Sequence, residues 1–308
     1  MKREIFTNYS KGFLMGTADL VPGVSGGTIA LLTGIYPRLI GALAAPTQGR
    51  FWAAVRSFRV LEALKAVDAA FLAAVALGVL TAVGALVNAV SFLLEHRPHL
   101  LLGLFSGLVL ATAAYVCALV REYRPFLLLL ALLGLVVNFL MGSLDPTPEA
   151  ELPTHARFFF SGMIAICAML MPGISGSLLL VNMGMYAHLV NAVKNLDPTV
   201  VSFSLGAAAG LLGFSRVIKA ALARFHDELM ALICGILLSS LYLIWPWKQK
   251  IVDVPFSGQP NLLPRQYTQD PELVWVIALG LLGIAMVAGM HLAARRMEHA
   301  GATTDARP

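Results

Sequence analysis

The chain has 308 residues, of which 58% are hydrophobic and only 13% charged, and a mean hydropathy of +0.78. That composition excludes a soluble protein of one or two domains and points to an all-α, polytopic membrane protein. The net charge of +5 reads as basic loops beside anionic lipid, so no nucleic-acid partner is expected.

The N-terminus, Met1-Lys2-Arg3-Glu4-Ile5, leads into an apolar stretch without a convincing small-residue cleavage site, so it is kept as part of the mature protein. That stretch, 12–43, contains Pro22-Gly23-Val24-Ser25-Gly26-Gly27-Thr28, a cluster of helix breakers. The arm from Gly12 to Val21 is about ten residues and covers about 15 Å, half the hydrocarbon core. A re-entrant hairpin over 12–43 follows, with a second arm of similar length after Gly27. The stretch 50–66, with Phe51, Trp52, Val55, Phe58 and Leu61 among basic residues, reads as an interfacial amphipathic helix or an ordinary linker helix. Spans are predicted at 69–94, 98–120 and 125–144. A second breaker cluster, Pro172-Gly173-Ile174-Ser175-Gly176-Ser177, predicts a hairpin over 156–193. Spans at 199–220, 229–247 and 273–293 and a tail at 298–308 complete the chain.

This topology places 16 of the 22 Lys and Arg on the cytoplasmic side, including Arg38, Arg121, Arg124, Arg216, Lys219, Arg224, Arg295 and Arg296. Both termini are then cytoplasmic, and the acidic 145–151 loop lies outside. Cys117, Cys167 and Cys234 lie in apolar segments and read as packing residues, with neither a disulfide framework nor a metal cluster suggested. No cofactor is expected.

Shifting 22–43 by 150 positions onto 172–193 gives 8 identities in 22, among them both Pro-Gly-x-Ser-Gly blocks, Gly34 on Gly184 and Tyr36 on Tyr186. At a shift of 128, Leu77-Gly78 falls on Leu205-Gly206 and Gly107 on Gly235. The reading is two repeats, 1–150 and 151–297, each with one hairpin and three crossings. Odd parity requires the second repeat to be inverted, an arrangement of secondary transporters in which broken helices meet near the midplane.

Such a site suits an anion, especially a phosphate: amide groups at Gly23, Gly26, Gly27, Gly173 and Gly176 join hydroxyls of Ser25, Thr28, Ser175 and Ser177. Arg38 and Arg216 are candidates to capture a headgroup, with interfacial snorkelling as the alternative. Asp19, the one acid inside an apolar stretch, is a candidate proton carrier or a hydrogen-bond clamp on the loop. Asn88, Asn138, Asn182 and Asn191 read as interhelical ties.

The run from Met15 to Thr28 with Thr33-Gly34-Ile35-Tyr36, and the second motif Met171 to Ser177, resemble the bacterial polyprenyl-phosphate transporter family over most of the chain. The resemblance implies an undecaprenyl-phosphate translocase of the bacterial cytoplasmic (inner) membrane. Such a protein returns the lipid carrier of cell-wall synthesis from the outer to the inner leaflet, with polyprenyl phosphate and membrane lipid as partners and no enzymatic step. The implied headgroup site is the pair of Ser-Gly loops, with Asp19 beside the first and Met169 at the matching second position. A rival is an intramembrane serine protease of rhomboid type, on Gly23-Val24-Ser25-Gly26 or Gly173-Ile174-Ser175-Gly176 with His291 as base. A third reading is a small-anion transporter or channel, which needs no opening toward lipid. Oligomeric state, including a homo-oligomer, is left open.

Overall fold

The computed structural model describes residues 2–21, 24–143, 153–249, 259–267 and 270–304, with backbone only from 293 onward. Pro22, Gly23 and the acidic 145–151 loop lie outside these residues, as do the side chains of Arg295 and Arg296. The described part is helical: α1 (Lys2–Asp19), α2 (Gly26–Leu32), α3 (Tyr36–Ala44), α4 (Gly49–Arg56), α5 (Val60–Ala66), α6 (Ala69–His96) and α7 (Pro98–Ala118), then α8 (Pro125–Ser143), α9 (His155–Leu170), α10 (Gly176–Asn182), α11 (Tyr186–Lys194), α12 (Thr199–Arg224), α13 (His226–Leu243) and α14 (Leu273–Thr304).

Among the described residues six helices, α6, α7, α8, α12, α13 and α14, are long and apolar enough to cross a membrane. They cover the six predicted spans with shifted ends. The fifth stops at Leu243 rather than 247, where the Ile244 amide closes on the Ser240 carbonyl and Trp245-Pro246 follows. Proline cannot continue the ladder. The last helix continues unbroken into the expected tail, to Thr304.

Each breaker cluster separates a long entering arm, α1 or α9, from a short return arm, α2 or α10. The return arms have seven residues, shorter than expected, because each ends at a glycine with positive φ. Gly34 (φ +74°) lets the Ile35 amide reach back to the Ala30 carbonyl at 3.0 Å, and Gly184 (φ +65°) lets Met185 reach Leu180 at 2.8 Å. This is a Schellman closure, which a β-carbon disfavours. The chain then bends by 117° into the helix after α2 and by 106° into α11. The amphipathic stretch is likewise two helices rather than one. Phe58 adopts φ +54° and the Arg59 amide closes on Ala54 at 2.9 Å, so α4 stops before α5 begins.

Glycines set the packing of the long helices. A β-carbon on Gly12 or Gly78 would strike the backbone of the facing helix, at Val75 and at Tyr9 respectively, and one on Gly162 or Gly206 would strike Phe203 or Phe159. Close parallel packing of α1 on α6 and of α9 on α12 results. Gly16 rests on Val79 and Ala82, near the middle of α6, and Gly210, near the middle of α12, rests on Met163 and Ile166. Both hairpins therefore turn about halfway along a spanning helix. Gly107 meets Gly280 where α7 packs on α14, and Gly235 meets Ala131 where α13 packs on α8. The central helix is α13, 61% buried against 17% for the apolar part of α14.

At one end of the bundle, Arg38 in α3 pairs with Glu4 at 3.0 Å and Asp68 at 2.6 Å, and the Glu122 amide donates to Asp227 at 3.0 Å. We call this the basic end. At the other, Arg97 pairs with Glu272, Asn182 donates to the Met141 carbonyl at 2.5 Å and Trp247 to that of Pro271 at 3.0 Å. The directions of packing place the start of α1 and the end of α14 together at the basic end.

One expectation is overturned. Cys117 in α7 and Cys234 in α13 form a disulfide across 117 residues, with Cα atoms 6.0 Å apart, while Cys167 is unpaired. Pairing depends on two Cβ atoms being brought within bonding reach, which here follows from α7 packing against α13, a contact invisible in cysteine spacing.

Candidate functional site between two hairpin tips

The entering arm α1 ends at Asp19, and the chain re-enters helix only at Gly26. Ser25 is extended (φ −127°, ψ 137°) and caps α2, its Oγ accepting from the Gly27 amide at 3.1 Å. Asp19 accepts from the Gly26 amide at 2.6 Å. Two of the amides expected to face an anion in this tip, those of Gly26 and Gly27, are thus closed by the protein's own oxygens. Of the two readings of Asp19, this bond is the clamp geometry.

In the second tip Gly173 turns the chain at φ +88°. Its carbonyl accepts from Ser240 of α13 at 2.8 Å, and Asn138 of α8 donates to Ser240 and to the Ile236 carbonyl. Ser175 precedes α10 but makes no side-chain cap, and its hydroxyl lies 2.9 Å from that of Ser177. Asn138 is an interhelical tie, and a chain of three hydrogen bonds fixes this tip to the central helix.

The tips meet. The Gly173 amide donates to Thr28 Oγ1 at 3.1 Å, and Tyr36 donates to the Leu170 carbonyl at 2.8 Å. Thr28 and Tyr36 are almost wholly buried. A β-carbon on Gly27 would lie 3.4 Å from the Met169 carbonyl. Beside this contact is a cavity of about 210 Å³ lined from both tips by Asp19, Ser25, Ser175, Gly176 and Ser177, and walled by α9 and α12. Asp19, Met169 and Ser177 are exposed at its rim, halfway along the bundle. Thr28, Gly26, Gly27 and Gly173 stand behind the lining rather than in it, and Gly23 lies outside the described residues.

Residues 15–257 match the VCA0040-like family, described as undecaprenyl phosphate translocase-like. A polyprenyl-phosphate transporter of Vibrio cholerae serotype O1 is 34% identical over 299 residues, 92% of this chain and 95% of that protein. One of Staphylococcus aureus is 32% identical over 265 residues, 80% of this chain and 88% of that protein. This chain belongs to the undecaprenyl phosphate translocase-like family. No solved structure matches it.

In this family member the protease constellation is not assembled. No histidine lines the cavity, and His291 packs edge-on against Tyr115 at 5.1 Å. Ser25 Oγ instead holds the Gly27 amide. Arg38 and Arg216 do not line the cavity either. Arg38 is engaged by Glu4 and Asp68 and lies 4.4 Å above the Phe71 ring, and Arg216 is exposed at the basic end.

Two residues that sequence reasoning did not single out for the site also hold it. Lys11 donates to the Thr33 carbonyl at 2.9 Å, and Arg157 to that of Met183 at 3.2 Å. Each is a cation on an entering arm at the C-terminal end of its return arm, the position the helix dipole favours. Thr33 and Met183 are matched by the 150-residue shift, so a search for cations about three to four turns before each breaker would have found the pair.

Proposed function

We propose that the chain transports polyprenyl phosphate, undecaprenyl phosphate being the expected substrate, and that the headgroup passes through the cavity between the tips. The observation that carries this is the open rim at half depth. In a membrane that opening faces lipid, so an apolar tail can stay outside while the headgroup enters. A volume of about 210 Å³ equals roughly seven waters at liquid density, room for a phosphate with some hydration but not for a long isoprenoid chain. A small-anion channel would have no use for a lateral opening. Transport requires no bond to be made or broken, in keeping with relatives named as transporters.

The second tip is the better anion donor, since α10 begins without a side-chain cap, and Ser175 and Ser177 offer hydroxyls. The first tip contributes Asp19, whose negative charge opposes a phosphate until the carboxyl is protonated. Asp19 is therefore proposed both as the clamp on Gly26 and as the proton carrier. The recurring contacts support two repeats: Lys11 and Arg157 on the return arms, α7 on α14 beside α13 on α8, and glycine-mediated pairs at the shifts of 150 and 128. We read them as inverted, since α1 starts at the basic end and α9 at the other, and infer a rocking of one against the other as the means of alternating access. The basic end is taken as cytoplasmic, in a bacterial inner membrane.

The test is headgroup movement of undecaprenyl phosphate in reconstituted vesicles, with and without a pH gradient. Wild type should move the headgroup and Ser175→Ala with Ser177→Ala should slow it at least tenfold. Movement unchanged in that variant would overturn the placement, and no movement by wild type would overturn the function.

A further inference from the structure

At the basic end, α12 presents Arg216, Lys219 and Arg224 to a second cavity of about 640 Å³, whose opposite wall is Thr47, Gln48 and Gly49 after α3. Among the described residues no carboxylate lines it and none of the three cations is in an ion pair. Several arginines at this end are neutralised by carboxylates, Arg38 by Glu4 and Asp68, Arg59 by Glu62 and Arg124 by Glu122, whereas this cavity gathers three cations with none. Arg224 also borders a neighbouring cavity carrying Glu122, Asp227 and Glu228, so Arg216 and Lys219 form the least neutralised part. Three like charges around one open volume repel one another unless an anion sits among them.

This cavity is not an extension of the one between the tips. Along α12 the tip cavity is lined by Phe203 and Ala207, and the basic one begins at Arg216. Nine residues at about 100° each turn the helix by about two and a half turns, so Arg216 projects from the face opposite Ala207, about 13 Å along the axis. Its level in the membrane is marked by α4 and α5, amphipathic helices with apolar side chains beside cations, where Trp52 of α4 is 51% exposed and Phe58, at the break between them, 91%. A further cavity, of about 450 Å³, shares Gln48 and carries Arg50 and Lys65 beside the Arg59–Glu62 pair, a net positive extension of the surface along the same plane.

We propose that the Arg216–Lys219–Arg224 cavity binds the phosphate headgroup of an anionic phospholipid resident in the leaflet at this end. The occupant is a lipid rather than a soluble anion because the cations lie at the level of interfacial aromatics and beside exposed apolar residues of α12 such as Val217. One wall comes from the segment after the first hairpin and the other from α12. A bound headgroup therefore joins the two halves of the molecule and biases any motion between them. The binding claim stands apart from the transport reading, and only the bias on motion rests on it.

The test uses the full chain in neutral detergent micelles, with native mass spectrometry and thermal melting. The probes are phosphatidylglycerol, phosphatidylcholine, inorganic phosphate and undecaprenyl phosphate. Phosphatidylglycerol should bind and raise the melting temperature, with phosphatidylcholine and inorganic phosphate having little effect. Each cation near a lipid surface contributes roughly fivefold in affinity, so Lys219→Gln with Arg224→Gln should weaken phosphatidylglycerol roughly 25-fold, and Lys219→Glu with Arg224→Glu should abolish its binding. These side chains are exposed, so an unchanged melting temperature without lipid certifies the fold. The tip variant, Ser175→Ala with Ser177→Ala, should bind phosphatidylglycerol as wild type does, which separates a failure here from a failure of the tip site. Equal affinity in wild type and the double glutamate variant would overturn the proposal. So would an equal shift from inorganic phosphate or phosphatidylcholine, or binding confined to undecaprenyl phosphate.

Discussion

In the first hairpin the start of the return arm is closed twice from its own loop, by Asp19 on the Gly26 amide and by Ser25 on that of Gly27. In the second, the matching helix start has no side-chain cap, and Met169 stands against Gly176 as Asp19 stands against Gly26. Tyr36 is buried and ties the first hairpin to Leu170, whereas its counterpart Tyr186 is 47% exposed. The scaffold is duplicated and the chemistry is not. The first tip satisfies itself and carries the acid. The second is fixed by its backbone to Ser240 and leaves its hydroxyls at the cavity. A site built this way separates holding the loops from meeting the ligand.

The largest expected effects break the scaffold in both halves alike. Gly78→Leu and Gly206→Leu each drive a side chain into a facing backbone, so neither variant should yield folded protein by gel filtration. Gly84→Leu and Gly213→Leu, in the same two helices but with open space beside them, should fold. Next come the tips, where the halves should diverge. Asp19→Asn should lower headgroup movement at least tenfold and flatten its pH dependence, while Met169→Ala should leave it within about twofold; equal losses would remove the asymmetry. Thr28→Val strands the buried Gly173 amide and should cost about 1–3 kcal/mol in denaturant unfolding. Ser25→Ala removes a cap and should cost about 1 kcal/mol, whereas Ser175→Ala, which has no cap to lose and gives up only its contact with Ser177, should cost less.

An effect read only against pH lies away from both tips. Lys248 follows α13, donates to Asn261 at 2.9 Å and to the Gln259 carbonyl at 3.1 Å, and burial lowers its pKa from 10.5 to about 8. The detached segment binds the proton more tightly than the packed one. Its packing is therefore opposed in full below about pH 8 and relieved as pH rises toward 10.5. The melting temperature of wild type relative to Lys248→Met should rise over that window.

Much of this was legible because membrane-spanning helices and their interruptions are written in composition: an apolar run needs about 20 residues, and Pro-Gly clusters stop it. Gly34 and Gly184 could be seen as matched, but their role in shortening the return arms depends on φ, which sequence does not print. The break at Phe58 was hidden because a non-glycine residue takes the left-handed position. The ties that bring the tips together, Thr28 to Gly173 and Tyr36 to Leu170, join residues 145 and 134 apart. No local pattern announces them. Thr28 was read as a ligand hydroxyl and its oxygen is engaged between the tips. Arg38, a headgroup candidate with interfacial snorkelling as the alternative, is held by two carboxylates.

The most direct measurement is site-specific photo-crosslinking to labelled undecaprenyl phosphate, with the photoreactive residue placed in turn at Ser177 on the cavity rim and at Leu281 on the exposed face of α14. The headgroup should crosslink strongly at 177 and weakly at 281, with excess unlabelled lipid removing the signal at 177. Equal labelling at both positions, undiminished by competition, would contradict a phosphate site between the tips.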